Sequence, residues 1–205
     1  MARKTEDIPG LIVSAALELA ASDGWRVVSL SDIAAKAGVS LAELREAFSS
    51  KAAIVNGFFK GIDEKVLAGI EDGDETSSTR DRLFDILMRR FDGLSPHKAG
   101  VAAILRDTCT DPVGGLCILP RFLCSMAWMV EAAGLSSEGF AGMARTHGLA
   151  LIYAAAFRVW LRDDTADSSA TMAALDRDLC RAERMVGWCR FAPSATTGEG
   201  VPSAG

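Results

Sequence analysis

The stretch Ser29-Leu30-Ser31-Asp32-Ile33-Ala34-Ala35-Lys36-Ala37-Gly38-Val39-Ser40-Leu41-Ala42-Glu43-Leu44-Arg45-Glu46-Ala47 decides the fold. Ser29 stands before a short apolar-periodic run, where its hydroxyl can accept from the first orphan amides of a helix over Leu30 to Ala37. Gly38 ends that helix, and Ser40 is placed to cap a second one over Leu41 to Ala47. Two brief helices separated by Gly38-Val39-Ser40 have helix-turn-helix geometry, with Ile33, Val39 and Leu44 available to pin them together.

Reading outward, Ile8, Leu11, Ile12, Ala15, Ala16 and Leu19 recur at three- and four-residue steps and predict one helix closed by Gly24. Downstream, Phe48, Ser49, Ser50 and Lys51 make a second corner. Ile54, Val55, Phe58, Ile62, Val66 and Ile70 then mark a long connecting helix running out near Asp72. Glu71 to Thr79 is acidic and rich in Ser and Thr, which reads as a surface loop. Further helices are expected at about 79–92, 97–107, 113–133, 137–162 and 166–188, broken at Ser95-Pro96, Asp111-Pro112, Gly134 and Asp163-Asp164. The class is all-α. We divide it as residues 1–52, a helix-turn-helix domain; 53–190, a larger helical domain; and 191–205, a Ser-, Ala-, Thr-, Gly- and Pro-rich tail expected to be disordered.

Composition narrows the function classes. The chain has 205 residues, 49% hydrophobic and 24% charged, which suits a globular protein with a real core. A net charge of -5 supplies no whole-chain attraction to nucleic acid or anionic lipid, so any basic surface is local. Within residues 1 to 60, seven basic side chains are balanced by seven acidic ones, so DNA affinity would require those charges to segregate by face. No run is long and apolar enough to span a membrane, and the N-terminus lacks a signal core; the expected location is the cytoplasm. Five cysteines at wide spacings contain no CxxC pair, and His97 and His147 have no nucleophilic or acidic neighbour at informative spacing. Neither a metal nor a cofactor is implied, and the chain does not read as an enzyme.

Ala15-Ala16-Leu17-Glu18-Leu19, Gly24-Trp25, Ser29 to Ala34, Ala37-Gly38-Val39-Ser40, then Phe48, Ser50-Lys51 and Ile54, resemble the DNA-binding domain of the TetR family over roughly residues 8 to 60. The resemblance implies a regulator, usually a repressor, whose second short helix enters the major groove of double-stranded DNA. It places DNA contacts at Ser29, Ser40, Leu41, Ala42, Arg45 and Lys51, the lysine clamping phosphate. Three positions depart from the family pattern: Glu43 replaces a small polar residue, Arg45 a tyrosine, and Ala47 a polar or aromatic residue. Arg45 can make a charge-assisted phosphate contact or reach a guanine edge, whereas Glu43 and Glu46 repel phosphate unless neutralised internally or paired with cytosine.

For the larger domain, Met126, Trp128, Met129, Phe140, Met143, Leu151, Tyr153 and Phe157 are bulky, adaptable groups able to line an apolar cavity. Met126, Met129, Met143, Tyr153 and Phe157 are our candidate contacts for a small apolar ligand. Ala150, Ala154, Ala155, Ala173, Ala174 and Ala182 permit close helix approach, and the resemblance implies a homodimer through residues 138–188. Arg80, Arg82, Arg89 and Arg90, interspersed with Asp81, Asp85 and Asp92, read as a solvated, salt-bridged surface. A second family with this fold, the lipid-binding accessory proteins of ubiquinone biosynthesis, has lost DNA reading. It shares Gly24-Trp25, the atypical reading helix, and the organisation through Met126-Ala127-Trp128, Ile152-Tyr153 and Leu175-Asp176. Its usual C-terminal amphipathic helix has no counterpart after Phe191.

Overall fold

A computed structural model describes residues 7–70, 78–109, 112–165 and 167–186. Most of the proposed loop 71–79, the Asp111 break and the tail after Phe191 lie outside them. Among the described residues all regular structure is helical: α1 (Ile8–Asp23), α2 (Leu30–Ala37), α3 (Leu41–Ala47), α4 (Lys51–Ala68), α5 (Thr79–Leu94), α6 (Lys98–Cys109), α7 (Pro112–Ala132), α8 (Gly139–Trp160) and α9 (Ser169–Val186). The break at Ser95-Pro96 is a single 3₁₀ turn, Ser95–His97, that carries α5 into α6. The connecting helix α4 ends at Ala68, earlier than the periodicity of Ile70 suggests.

The head consists of α1, α2 and α3, with α4 leaving it. Ile12, Ile33 and Leu44 are essentially inaccessible and, with Ala15, Ala16, Ala34, Trp25 and Ile54, form its core. Leu11 departs from expectation, being 40% exposed, while Leu17 is buried. The reason is a second partner: α1 packs against α6 as well as α2, which turns its buried face toward Leu17 and away from Leu11. Gly100 on α6 sets this approach, since a Cβ there would lie 2.5 Å from the Leu17 carbonyl oxygen.

The larger body packs α5, α7 and α8 around Leu83, Leu87, Phe91, Met126, Met129, Tyr153 and Trp160, with α9 closing against α8 through Leu175 and Leu179. Phe91 stacks on Tyr153 at 4.9 Å between ring centroids, and Phe157 and Trp160 extend the aromatic cluster. Gly134, at φ +81°, ends α7; the Leu135 amide donates back to the Val130 carbonyl and satisfies the last turn. No described helix is long and apolar enough to cross a membrane.

Candidate functional site

The turn between α2 and α3 is built from local chemistry. Gly38 takes the left-handed conformation at φ +68°, ψ +28°, which a residue with a Cβ adopts only under strain. The Val39 amide then donates to the Ala34 carbonyl at 3.0 Å and the Gly38 amide to the Ala35 carbonyl at 3.3 Å, the paired closure of a Schellman turn. Each helix beside this turn begins with a reciprocal capping box. Asp32 returns the Ser29 cap by accepting from the Ser29 amide at 2.8 Å, and Glu43 accepts from the Ser40 amide at 2.7 Å.

These boxes decide how the head's charges are spent. The Glu43 carboxylate also accepts from the Ser40 hydroxyl at 2.8 Å, and Asp32 from the Ser29 hydroxyl at 2.6 Å, so both acids are turned back onto their own helix starts. The Ser29 hydroxyl and amide hold the Asp32 carboxyl below its usual range. Glu18 on α1 pairs with Lys36 on α2 at 3.1 Å. Capping by Asp32 and Glu43 was not foreseen from the sequence, although acids three residues after Ser29 and Ser40 are the signature of such boxes.

What α3 offers outward is Leu41, 54% exposed, with Ala42, Arg45 and Glu46, while Leu44 is buried. Ser29 and Ser40 are exposed and already engaged as caps. Lys51, the first residue of α4, points inward: its ammonium donates to the carbonyl oxygens of Trp25 and Val28 and lies 4.3 Å from the Trp25 ring centroid. Burial pushes the Lys51 ammonium down in pKa, opposed by the charges of Asp107 and Asp32. Asp107, on α6, accepts from the Arg26 amide at 2.7 Å and so ties the loop after α1 to the larger body.

The five candidate ligand contacts divide into two groups. Met126, Met129, Tyr153 and Phe157 lie together in the body's core, whereas Met143 is 48% exposed and stands apart from them. Trp128, Phe140 and Leu151 are exposed as well. Arg90 corrects the expectation of a wholly solvated arginine group: it is 2% exposed and pairs with Asp63 of α4 at 2.8 Å. It also donates to the Ser125 hydroxyl of α7 at 3.1 Å and lies over the rings of Tyr153, at 4.7 Å, and of Phe59, at 5.9 Å. The signal was present in register, because Arg90 falls on the stripe of Leu83, Leu87 and Leu94.

On α8, Phe140, Met143, His147, Leu151 and Ala154 recur at three- and four-residue steps along one exposed face, while Ala150 and Ala174 are buried within the chain. No group of His, Cys, Asp and Glu able to hold a metal ion occurs among the described residues.

The family model described as bacterial regulatory proteins, tetR family, matches residues 12–57, the span of the capped turn and the start of α4. A solved TetR transcriptional regulator from Nitrosomonas europaea ATCC 19718 is 26% identical, with a TM-score of 0.73, over 88% of this chain and 100% of that one. A TetR transcriptional regulator from Rhodococcus sp. RHA1 is 21% identical with a TM-score of 0.56, over 88% of this chain and 99% of the other. A tetR-family regulator from Streptomyces coelicolor, 14% identical with a TM-score of 0.58, covers 92% of this chain and 89% of its own. These last two bear on the fold alone. No curated protein matches the chain.

Proposed function

The chain belongs to the TetR family of bacterial regulatory proteins, and from that premise we propose that it is a dimeric transcriptional repressor whose hold on double-stranded DNA is released by a small apolar ligand. The observation that carries the DNA-binding part is the Gly38 turn with its two capping boxes, which holds α3 on the head with Leu41, Ala42 and Arg45 outermost. An exposed helix of this kind reads base edges from its early residues, while neighbouring cations and hydroxyls hold phosphate. Arg45 is the strongest candidate for a direct DNA contact. Ser29, Ser40, Leu41 and Ala42 remain candidates, and Lys51 joins them through the donor capacity left after its two carbonyl bonds.

Internal capping of Asp32 and Glu43 supports DNA binding by an otherwise neutral head, since the acids nearest the turn are committed to helix ends. In the domain division we favour, the head ends near residue 52 and the body beyond it takes the ligand and the second subunit. Ligand control is supported by α4, which starts in the head at Lys51 and carries Asp63 into contact with the body's core. Two arrangements of that core, favoured unequally by the ligand, would move the head. The exposed apolar face of α8, together with α9, is the proposed twofold seam, and it would set two reading helices about one DNA turn apart. The family-model match and the Nitrosomonas europaea regulator favour this reading over a lipid-binding accessory role.

Fluorescence-polarisation titration of the full chain against DNA from upstream of its own gene, at two salt concentrations, tests the reading. Specific binding that survives the higher salt supports it. Arg45→Ala should cost about 1–3 kcal/mol of that binding. Equal affinity for unrelated DNA at both salts would overturn it, and co-purified isoprenoid lipid without any DNA shift would favour the accessory role.

A further inference from the structure

Tyr153, the one tyrosine of the chain, is 2% exposed; among the described residues its hydroxyl makes no hydrogen bond of good geometry, and the one polar group close enough to act on it, the Arg90 guanidinium, can only donate, so the O–H has no acceptor. A buried O–H without an acceptor keeps its full desolvation penalty, and buried tyrosines ordinarily find one. Around it stand groups from four helices. The Arg90 guanidinium of α5 lies over the ring face, held by Asp63 of α4 and by Ser125 of α7. Phe91 of α5, Phe122 of α7 and Phe157 of α8 pack against the ring itself. Met126 and Met129 follow Phe122 by four and seven residues on the same face of α7, and unbranched thioether side chains reshape readily.

This arrangement limits what could satisfy the hydroxyl. Burial raises the phenol's pKa, so the group stays protonated and its unmet need includes an acceptor for its O–H. Charge within the cluster is already balanced, Arg90 by Asp63. A second carboxylate would place two anions on one buried cation, and a cation would oppose Arg90; each carries a desolvation cost that nothing nearby offsets. The ring's other neighbours, Phe91, Phe122 and Phe157, are apolar.

We propose that the Tyr153 hydroxyl is the polar anchor for an uncharged, mainly apolar ligand bearing a carbonyl-type acceptor, bound among α5, α7 and α8 beside the Asp63–Arg90 pair. This rests on the ligand-controlled reading and narrows it to a ligand class. Because Asp63 belongs to α4, an occupant that displaces Arg90 acts directly on the helix leading to the head.

The test uses three probes of similar size, acetophenone, ethylbenzene and benzoate, titrated calorimetrically into the full chain and into Tyr153→Phe. The wild type should bind acetophenone about five- to tenfold more tightly than ethylbenzene, the worth of one hydrogen bond, with benzoate weakest. Tyr153→Phe should unfold at the same or a higher temperature, bind ethylbenzene unchanged, and lose the preference for acetophenone. The proposal is overturned if the wild type binds acetophenone and ethylbenzene equally, binds benzoate best, or binds none of the three. Persistence of the preference in Tyr153→Phe also overturns it, as does failure of that variant to fold. DNA affinity measured in the same preparations separates the two readings: probes that rank as stated without changing it refute ligand control and leave the anchor standing, whereas a lost ranking with intact DNA binding refutes the anchor alone.

Discussion

The Lys51 ammonium sits 2.6 Å from the carbonyl oxygen of Trp25 and 4.3 Å from the centroid of the same residue's indole. A lysine at the start of a helix meets the unfavourable end of the helix dipole, and here the Trp25 and Val28 carbonyls answer that charge. The side chain thereby fastens α4 to the loop between α1 and α2. Its first role is to position the head; contact with phosphate is the additional role proposed above.

Lys51→Met therefore separates the two roles. It keeps the apolar stem against Trp25 and removes both hydrogen bonds, which for a half-buried charged donor are worth about 1–2 kcal/mol. Chemical denaturation should show a loss of that size without DNA present, together with weaker DNA binding. An unchanged unfolding midpoint with weakened DNA binding would mean that the lysine serves phosphate alone.

Sequence periodicity carried the head almost entirely, and the physical reason is that its signals are local. Ser29, Gly38 and Ser40 act on amides within five residues of themselves, so their roles are legible without tertiary information. The outcome for Arg90 depended on α4 supplying Asp63 from 27 residues away, and nothing in the run Arg89-Arg90-Phe91-Asp92 specifies that partner. Phe140, Met143 and Leu151, residues able to line a cavity by their chemistry, are instead exposed on the chain, for a related reason. Helix α8 is apolar on two faces, and a single chain's periodicity does not say which face its own core takes.

Gly100→Ala tests the contact between head and body. The new methyl would meet the Leu17 carbonyl at 2.5 Å, a backbone atom that has no rotamer by which to retreat, so α1 and α6 must move apart. Such overpacking costs about 1–3 kcal/mol. Gly61→Ala in α4 is the control: nothing lies within 4 Å of its Cβ position, and removing a glycine from a helix interior should stabilise by about 0.5–1 kcal/mol. Opposite signs in thermal unfolding are the expected result; equal small effects would show that α1 and α6 are not closely packed in solution.

Asp163 predicts a pH dependence confined to acid. Its carboxylate accepts from the hydroxyls and amides of Thr165 and Thr171, organising the entry to α9, and the two hydroxyls lead in holding its pKa well below the ordinary 3.8. A depressed folded-state value means that the stabilisation is complete above the unfolded value and is lost as pH falls through the folded one. The melting temperature of the wild type should exceed that of Asp163→Asn by a constant margin at neutral pH, and the margin should narrow below about pH 4. A margin that stays constant into strong acid would show that the charge contributes nothing beyond its shape.

The α8 face supplies the last prediction. Phe140 is 84% and Leu151 74% exposed, and they share a helical face with Met143, His147 and Ala154. Large apolar groups contiguous on a surface mark an interface more often than chance exposure. Since neither side chain supports the core of its own subunit, Phe140→Asp combined with Leu151→Glu should leave helical content intact while placing uncompensated carboxylates in the proposed seam. Sedimentation velocity at micromolar protein should then show a monomer where the wild type shows a dimer. Operator affinity should fall more than ~10-fold, because one head alone reads half a site and loses the effective concentration that a tethered second head provides. If the double variant remains dimeric, the seam lies on another face; if it becomes monomeric with operator affinity unchanged, a single head is sufficient for recognition.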